Sequence, residues 1–205
     1  FFKNLGMEIY AKNVSVYYKS YDLIDSIFGI RHFIEEDRTT ITENPDALSL
    51  AFLSDRKILD YLPSSYDDPQ KAQQEFWKSL TGKSDIDKKA DVAMLKKGEM
   101  SVTNFDTDLI KGTVSCNSDG ILFTTIPYDE GWQFFIDGEK TEVIKCAEYL
   151  ACCEITAGEH EITMKYTVPG IKTGSAISLI CLSVFIFITF RTESLIPQRK
   201  KEVKK

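Results

Sequence analysis

The sequence predicts an α+β fold: an antiparallel β-sandwich with a small mixed α/β N-terminal portion and one C-terminal transmembrane helix. Three observations carry that expectation. Between Ser101 and Tyr166 the apolar residues recur with period two, and turn signals fall about every 8–12 residues, the spacing of a sandwich. The first hundred residues mix helix-period stretches with short strand-like runs. Thr173–Phe190 is uncharged and almost entirely apolar, bounded by Lys172 and Arg191. Eighteen helical residues rise about 27 Å at roughly 1.5 Å each, close to the roughly 30 Å of a bilayer's hydrocarbon core.

In chain order, Tyr21–Phe28 places Leu23, Ile24, Ile27 and Phe28 at helical spacing, and Gly29 stops that helix. Ile30–Ile34 reads as a short strand, and Asn44-Pro45-Asp46 marks a turn. Ala47–Leu53 is an apolar run of strand length. Asp68 then caps a helix with Pro69 in its first position, Ala72, Phe76, Trp77 and Leu80 on its apolar face, and Thr81-Gly82 at its end. Lys83–Lys97 reads as a charged connector in which Val92–Leu95 begin a strand. Strands follow at Ser101–Asp106, Ile110–Asn117, Gly120–Pro127 and Trp132–Ile136, the last with Trp132, Phe134 and Ile136 on one face. Asp137-Gly138 is a hairpin turn signal with Lys140–Ile144 as the partner strand. Tyr149–Ile155 comes next, then a turn at Ala157-Gly158 and the strand His160–Tyr166, whose Ile162, Met164 and Tyr166 face inward. The chain thus divides into residues 1–100 (mixed helix and strand), 101–172 (sandwich), 173–190 (span) and 191–205 (basic tail). A short linker from the sandwich to the span predicts a domain held close to the membrane surface.

Charge sorts along the chain. The whole carries 25 basic and 31 acidic side chains, of which residues 173–205 hold 6 and 2. Residues 1–172 therefore have a net charge of -10 and the remainder +4. Lys and Arg collect on the cytoplasmic side of spans, so the expected location is the cell membrane, with the bulk of the chain extracytoplasmic and the C-terminal tail cytoplasmic. Membrane lipid is the predicted partner of the apolar run. An acidic domain repels phosphates, which excludes nucleic acid. A buried core helix closing a soluble domain is the competing account of the apolar run. The chain opens FFKNLGMEIY, with no basic leader and no long apolar segment. Export in this orientation needs a signal peptide or earlier spans, so the expectation is a C-terminal piece of a larger protein or a processed form.

Cys116, Cys146, Cys152 and Cys153 lie outside the apolar run and Cys181 inside it. Cys152 and Cys153 are strand neighbours, point to opposite faces and should not pair with each other. One bridge from Cys116 or Cys146 to Cys152 or Cys153 and a set of buried free thiols both fit the spacing. No zinc-type spacing, Gly-rich phosphate loop, HExxH or GxSxG is present, and no metal or cofactor is predicted.

Five stretches, in order, resemble one family. FGIRHFI, ENPDALSLAFL, DDPQKAQQEFWKSLTG, IPYDEGWQFFIDGEK and ITAGEHEITMKYTVPGIKTGSAIS are similar to motifs of the bacterial YfhO-like membrane proteins. Ser49 replaces a preferred Pro, His32 a preferred Lys, and Arg31 shifts the pattern, which touches local turn geometry. The resemblance implies the C-terminal extracytoplasmic portion and last span of a polytopic protein of the glycosyltransferase C type. It implies transfer of sugar from a polyprenyl-phosphate donor to an envelope polymer such as lipoteichoic acid, with that donor and polymer as partners of the parent protein. The family's expected catalytic acids lie in an N-terminal loop, so no catalytic residue carries over and the portion itself is expected to be non-catalytic, covering the active site or holding the acceptor. A membrane-anchored glycan- or protein-binding module and a structural subunit of a transporter are the alternatives.

The candidate glycan-contact residues are Tyr128, Asp129 and Trp132, because aromatic rings beside a carboxylate stack on sugar faces and accept hydroxyl hydrogen bonds. A Tyr128 that anchors the turn, a Gly131 that supplies a positive φ, and core packing of Trp132 beside Phe134 and Ile136 explain the same residues without a ligand. His160 and His32 lack a sequence pattern of nucleophile or carboxylate that would make either a general base. Asp85, Asp87 and Asp91 lack the spacing of a calcium loop.

Overall fold

The structure is a computed structural model that describes residues 5, 9–11, 14–15, 22–35 and 39–195. The basic tail beyond residue 195 and Tyr21 lie outside the described residues. The chain forms two units, Phe1–Thr167 and Val168–Lys205.

The first unit begins with a paired β1 (Ile9–Ala11) and β2 (Val14–Ser15). Helix α1 (Asp22–Ile27) ends at Gly29, whose φ of 63° needs the freedom of a residue without Cβ. A small hairpin, β3 (His32–Ile34) with β4 (Ile41–Glu43), follows. β5 (Ala51–Ser54) is shorter than the apolar run that predicts it. Ala47 and Leu48 are buried in an irregular segment instead, where the Leu48 amide donates to the carbonyl of Ser26 at 2.8 Å. Burial alone had made them look like strand.

Helix α2 (Pro69–Thr81) has the predicted ends. The Asp68 carboxylate accepts from the Gln70 amide at 3.0 Å, and Gly82 closes the helix at φ 74°. The connector expected over Lys83–Lys97 is a helix and not the start of a strand: α3 spans Lys88–Leu95, with Asp87 as its cap. Its buried residues are Asp91, Val92 and Leu95, positions i, i+1 and i+4 of one helical face. Asp91 is fully buried, which its charge conceals in the sequence; the Trp77 indole donates to it at 2.8 Å and Lys83 pairs with it.

The remaining strands are β6 (Ser101–Phe105), β7 (Leu109–Cys116), β8 (Gly120–Pro127), β9 (Trp132–Ile136), β10 (Glu139–Thr141), β11 (Ile144–Cys146), β12 (Leu150–Ile155) and β13 (Gly158–Tyr166). They form a five-stranded sheet, β10-β9-β13-β7-β6, and a four-stranded sheet, β11-β12-β8-β5, with all pairs antiparallel. The four-stranded sheet thus takes a strand from before residue 101. The partner strand predicted over Lys140–Ile144 divides in two: Glu139–Thr141 pairs with β9, and Ile144–Cys146 crosses to pair with β12. Asp137 and Gly138 turn the β9–β10 hairpin at φ 54° and 83°.

An antiparallel sandwich is what the sequence predicts, and a helical layer extends it. One core lies between the sheets and includes Ile110, Leu122, Phe134, Cys153, Ile162 and Met164. A second core lies on the other side of the four-stranded sheet, where Phe52, Phe123 and Cys152 meet Ile24, Phe76 and Trp77 of the helices. Phe123 is central to it, with ring centroids 5.2 Å from Phe52 and 5.9 Å from Phe76. The five cysteines are free thiols. Cys152 and Cys153 point to opposite faces of β12 as expected, one into each core. Burial pushes the Cys153 thiol up to about 12, and a hydrogen bond with Cys152 together with burial raises that of Cys146. Such thiols stay protonated and unreactive at neutral pH.

The second unit contains helix α4 (Ile171–Leu195). Its segment Ile171–Arg191, 21 residues, is long and apolar enough to cross a membrane, and none of it is buried. Leu179, Phe185 and Phe190 are each at least 65% exposed. A helix closing a soluble core would bury a stripe of such residues; one that is apolar on every side suits hydrocarbon.

Candidate functional site

The predicted glycan-contact residues lie in and beside the turn that joins the two sheets, between the end of β8 and the start of β9. Asp129 builds that turn. Its Oδ1 accepts from the Gly131 amide at 2.7 Å, and its carbonyl accepts from the Trp132 amide at 3.1 Å. A glycine is required at 131 by space and not, as the sequence suggests, by a positive φ, which Gly131 does not adopt: a Cβ there would stand 2.5 Å from the Thr167 carbonyl oxygen and 2.6 Å from Tyr166 Cε2. The Thr167 amide donates to the Gly131 carbonyl at 2.9 Å, which ties the turn to the end of β13.

Trp132 is half-buried between two rings, with centroids 5.1 Å from Tyr166 and 6.4 Å from Phe134. Burial, and then a hydrogen bond to the Asp129 carboxylate, raises the pKa of the Tyr166 hydroxyl. Asp129, Trp132 and Tyr166 therefore form one packed corner, in which the carboxylate already serves an amide and a phenol. Tyr128 has different neighbours. Its amide donates to the Tyr149 carbonyl at 2.8 Å, and Lys145 Nζ stands 5.1 Å over its ring. Tyr166 is the member that sequence reasoning left unassigned to this corner. It is 37 positions from Asp129, and the β9–β13 register, which sets Tyr166 opposite Trp132, brings it there.

His160 acquires a carboxylate that its sequence surroundings do not announce. Its Nδ1 lies 2.7 Å from Asp137 Oδ2, and its Nε2 lies 3.1 Å from the Thr156 carbonyl. Asp137 also accepts from the Glu161 amide at 2.8 Å. The His160 hydrogen bond, then that amide, holds the Asp137 carboxyl below its ordinary range. Both imidazole nitrogens face groups of the protein, so the pair fastens the β9–β10 turn to β13 and offers no free base. His32 is exposed on β3, opposite Glu43. Asp85, Asp87 and Asp91 do not converge: Asp87 caps α3 and Asp91 is buried against Trp77.

The geometry defines a class first: an α+β domain with two stacked sheets, carried on the same chain as an apolar helix of membrane-spanning length. Residues 87–178 match the family model described as bacterial membrane protein YfhO. The YfhO-like resemblance carried by the motifs is thereby borne out over that segment, which contains the β9–β10 hairpin motif and the stretch running from β13 into α4. The three earlier motifs lie upstream of it. No curated protein matches the chain, and no solved structure does. The family and the uncovered apolar helix together put this protein at a membrane.

Proposed function

We propose that the chain is the C-terminal extracytoplasmic part, with the last span, of a polytopic membrane glycosyltransferase that uses a polyprenyl-phosphate sugar to modify an envelope polymer such as lipoteichoic acid. The YfhO-like match over residues 87–178 is the observation that supports it. Within that role the part is non-catalytic and covers the active site or holds the acceptor. Its division into an extracytoplasmic domain over residues 1–172, a span at 173–190 and a cytoplasmic basic tail at 191–205 follows the charge asymmetry. The acceptor contact falls at Tyr128, Asp129 and Trp132, where Tyr128 and the outer edge of Trp132 offer aromatic surface and the Asp129 carboxylate is held rigid by its turn.

The test is removal of residues 22–167 from the parent protein with every span retained. Sugar transfer to the envelope polymer, followed by incorporation of labelled sugar, should be lost or misdirected. Transfer at the unmodified rate would remove this role.

A further inference from the structure

We propose that a second cleft of the first unit, formed by the C-terminal ends of α2 and α3, the end of β5 and the β7–β8 turn, binds a neutral polyhydroxyl ligand the size of one sugar ring. It lies at the start of β8, whereas the Tyr128–Trp132 turn lies at the end of the same strand. Its volume is about 330 Å³, inside the roughly 300–1,000 Å³ range of small-ligand sites.

The floor is apolar: Leu53, Leu80 and Leu95, with Met94 at the edge, 39% exposed. The C–H faces of a sugar ring pack on such a surface. The walls are set by close packing. A Cβ on Gly98 would lie 2.6 Å from Leu53 Cβ, and one on Gly120 would lie 2.8 Å from Leu53 Cδ1 and from the Ser54 carbonyl oxygen. The cleft is therefore formed before a ligand arrives, which lowers the ordering cost of binding.

The rim supplies polar groups, and Asp55, Arg56 and Asp119 are oriented from behind. Asp55 Oδ1 accepts from the Lys57 amide at 2.9 Å, and Asp119 Oδ1 accepts from the Ala157 amide at 2.8 Å. Arg56 is held by Glu154 at 2.7 Å through one nitrogen, leaving further guanidinium donors. Among the described residues the side chains of Asn117 and Ser118 have no hydrogen-bond partner in the protein. Carboxylates accept from hydroxyls, while amide and guanidinium groups donate to them, so both roles of a sugar hydroxyl are met. The charge selects the ligand. Two carboxylates line the cleft, and Arg56, the cation among the lining residues, is already paired with Glu154. A phosphate or carboxylate ligand is disfavoured there. No aromatic ring lines the cleft, so affinity is modest. The choice of a sugar among neutral polyols rests on the glycosyl-transfer reading above; the existence of the site does not.

The test uses the full chain in detergent micelles, labelled with nitrogen-15, titrated with glucose, N-acetylglucosamine, glucose 1-phosphate and ethanolamine. Saturable amide shifts at Asp55, Gly98, Asn117 and Ser118 are expected with the neutral sugars, at a Kd of about 1–10 mM. Glucose 1-phosphate should bind at least about tenfold more weakly. Asn117→Ala and Met94→Trp should each abolish the shifts while leaving the remaining spectrum superimposable, which reports a retained fold. The proposal is overturned by the absence of saturable shifts with either sugar. It is equally overturned by binding of ethanolamine alone or by shifts that survive both variants. The two readings fail separately: loss of the sugar shifts leaves the deletion experiment on transfer unaffected, and unimpaired transfer after deletion leaves a sugar-binding site standing.

Discussion

β13 and β12 are neighbours in sequence, pair into different sheets and show opposite patterns of burial. Along β13, Ile162 and Met164 are fully buried while Glu161 and Lys165 are exposed. Along β12, Leu150, Ala151, Cys152, Cys153 and Ile155 are all buried. The difference is one of layers. The five-stranded sheet has one face on the inter-sheet core and one in solvent, so the sequence alternates. The four-stranded sheet has helices on its second face, so alternation disappears and its strands read as continuous apolar runs. GILFTTIP in β8 and LACCEI in β12 are the products of that double burial. A sandwich of two layers would need only one buried face in each sheet; this domain has a third layer with a core of its own.

The sharpest way to break that comparison is to truncate a side chain on the helix-facing side. Phe123→Ala should cost about 3–5 kcal/mol, measured by urea unfolding of the domain, because Phe123 touches both Phe52 and Phe76. Lys165→Ala, on the solvent face of β13, should change stability by no more than about 0.5 kcal/mol. A smaller effect tests the two faces of one strand. Cys153→Ser should cost about 1–3 kcal/mol, since it places a hydroxyl in the apolar inter-sheet core, whereas Cys152→Ser should cost less, because the Cys152 side chain already donates to the Ile144 carbonyl at 3.5 Å. A neutral result for Cys153→Ser would mean that the inter-sheet face of β12 is open to water.

The smallest effect belongs to the exposed edge of the five-stranded sheet. Because the Asp137 carboxyl is held below its ordinary range by His160 and the Glu161 amide, the folded state favours its ionised form. That contribution is complete above the ordinary carboxylate value, about 4, and is lost as pH falls through the lower folded value. Acid titration of stability should therefore show a decline below about pH 4 that is shallower in Asp137→Asn.

What the sequence disclosed follows the same division. α2 was legible to the residue because Asp68, Pro69 and Gly82 are local signals whose chemistry does not depend on the rest of the fold. β13 was legible because its alternation survives. α3 was not, because its buried face is completed by Asp91, a charge whose partners Trp77 and Lys83 lie outside the helix. The division of 140–146 between two sheets was hidden because strand propensity does not say which sheet a strand joins. At the candidate site, Gly131 was readable as a turn glycine, but its reason was not: close approach of the Thr167 carbonyl, and not a positive φ, excludes a side chain there. The Tyr166 contact and the Asp137–His160 pair were not, since both arise only once β9 pairs with β13.

The proposed topology puts the acidic domain and the basic tail on opposite sides of a membrane crossed by α4. The thiols of this chain add little background to a labelling measurement of it: Cys116, Cys146, Cys152 and Cys153 are at most 4% exposed and Cys181 lies in the apolar helix. Glu139→Cys on the exposed β10 edge and Lys201→Cys in the tail are introduced separately into the parent protein in living cells. A membrane-impermeant maleimide should label the first in intact cells and the second only after permeabilisation. Labelling of both in intact cells, or of position 201 alone, would contradict the account.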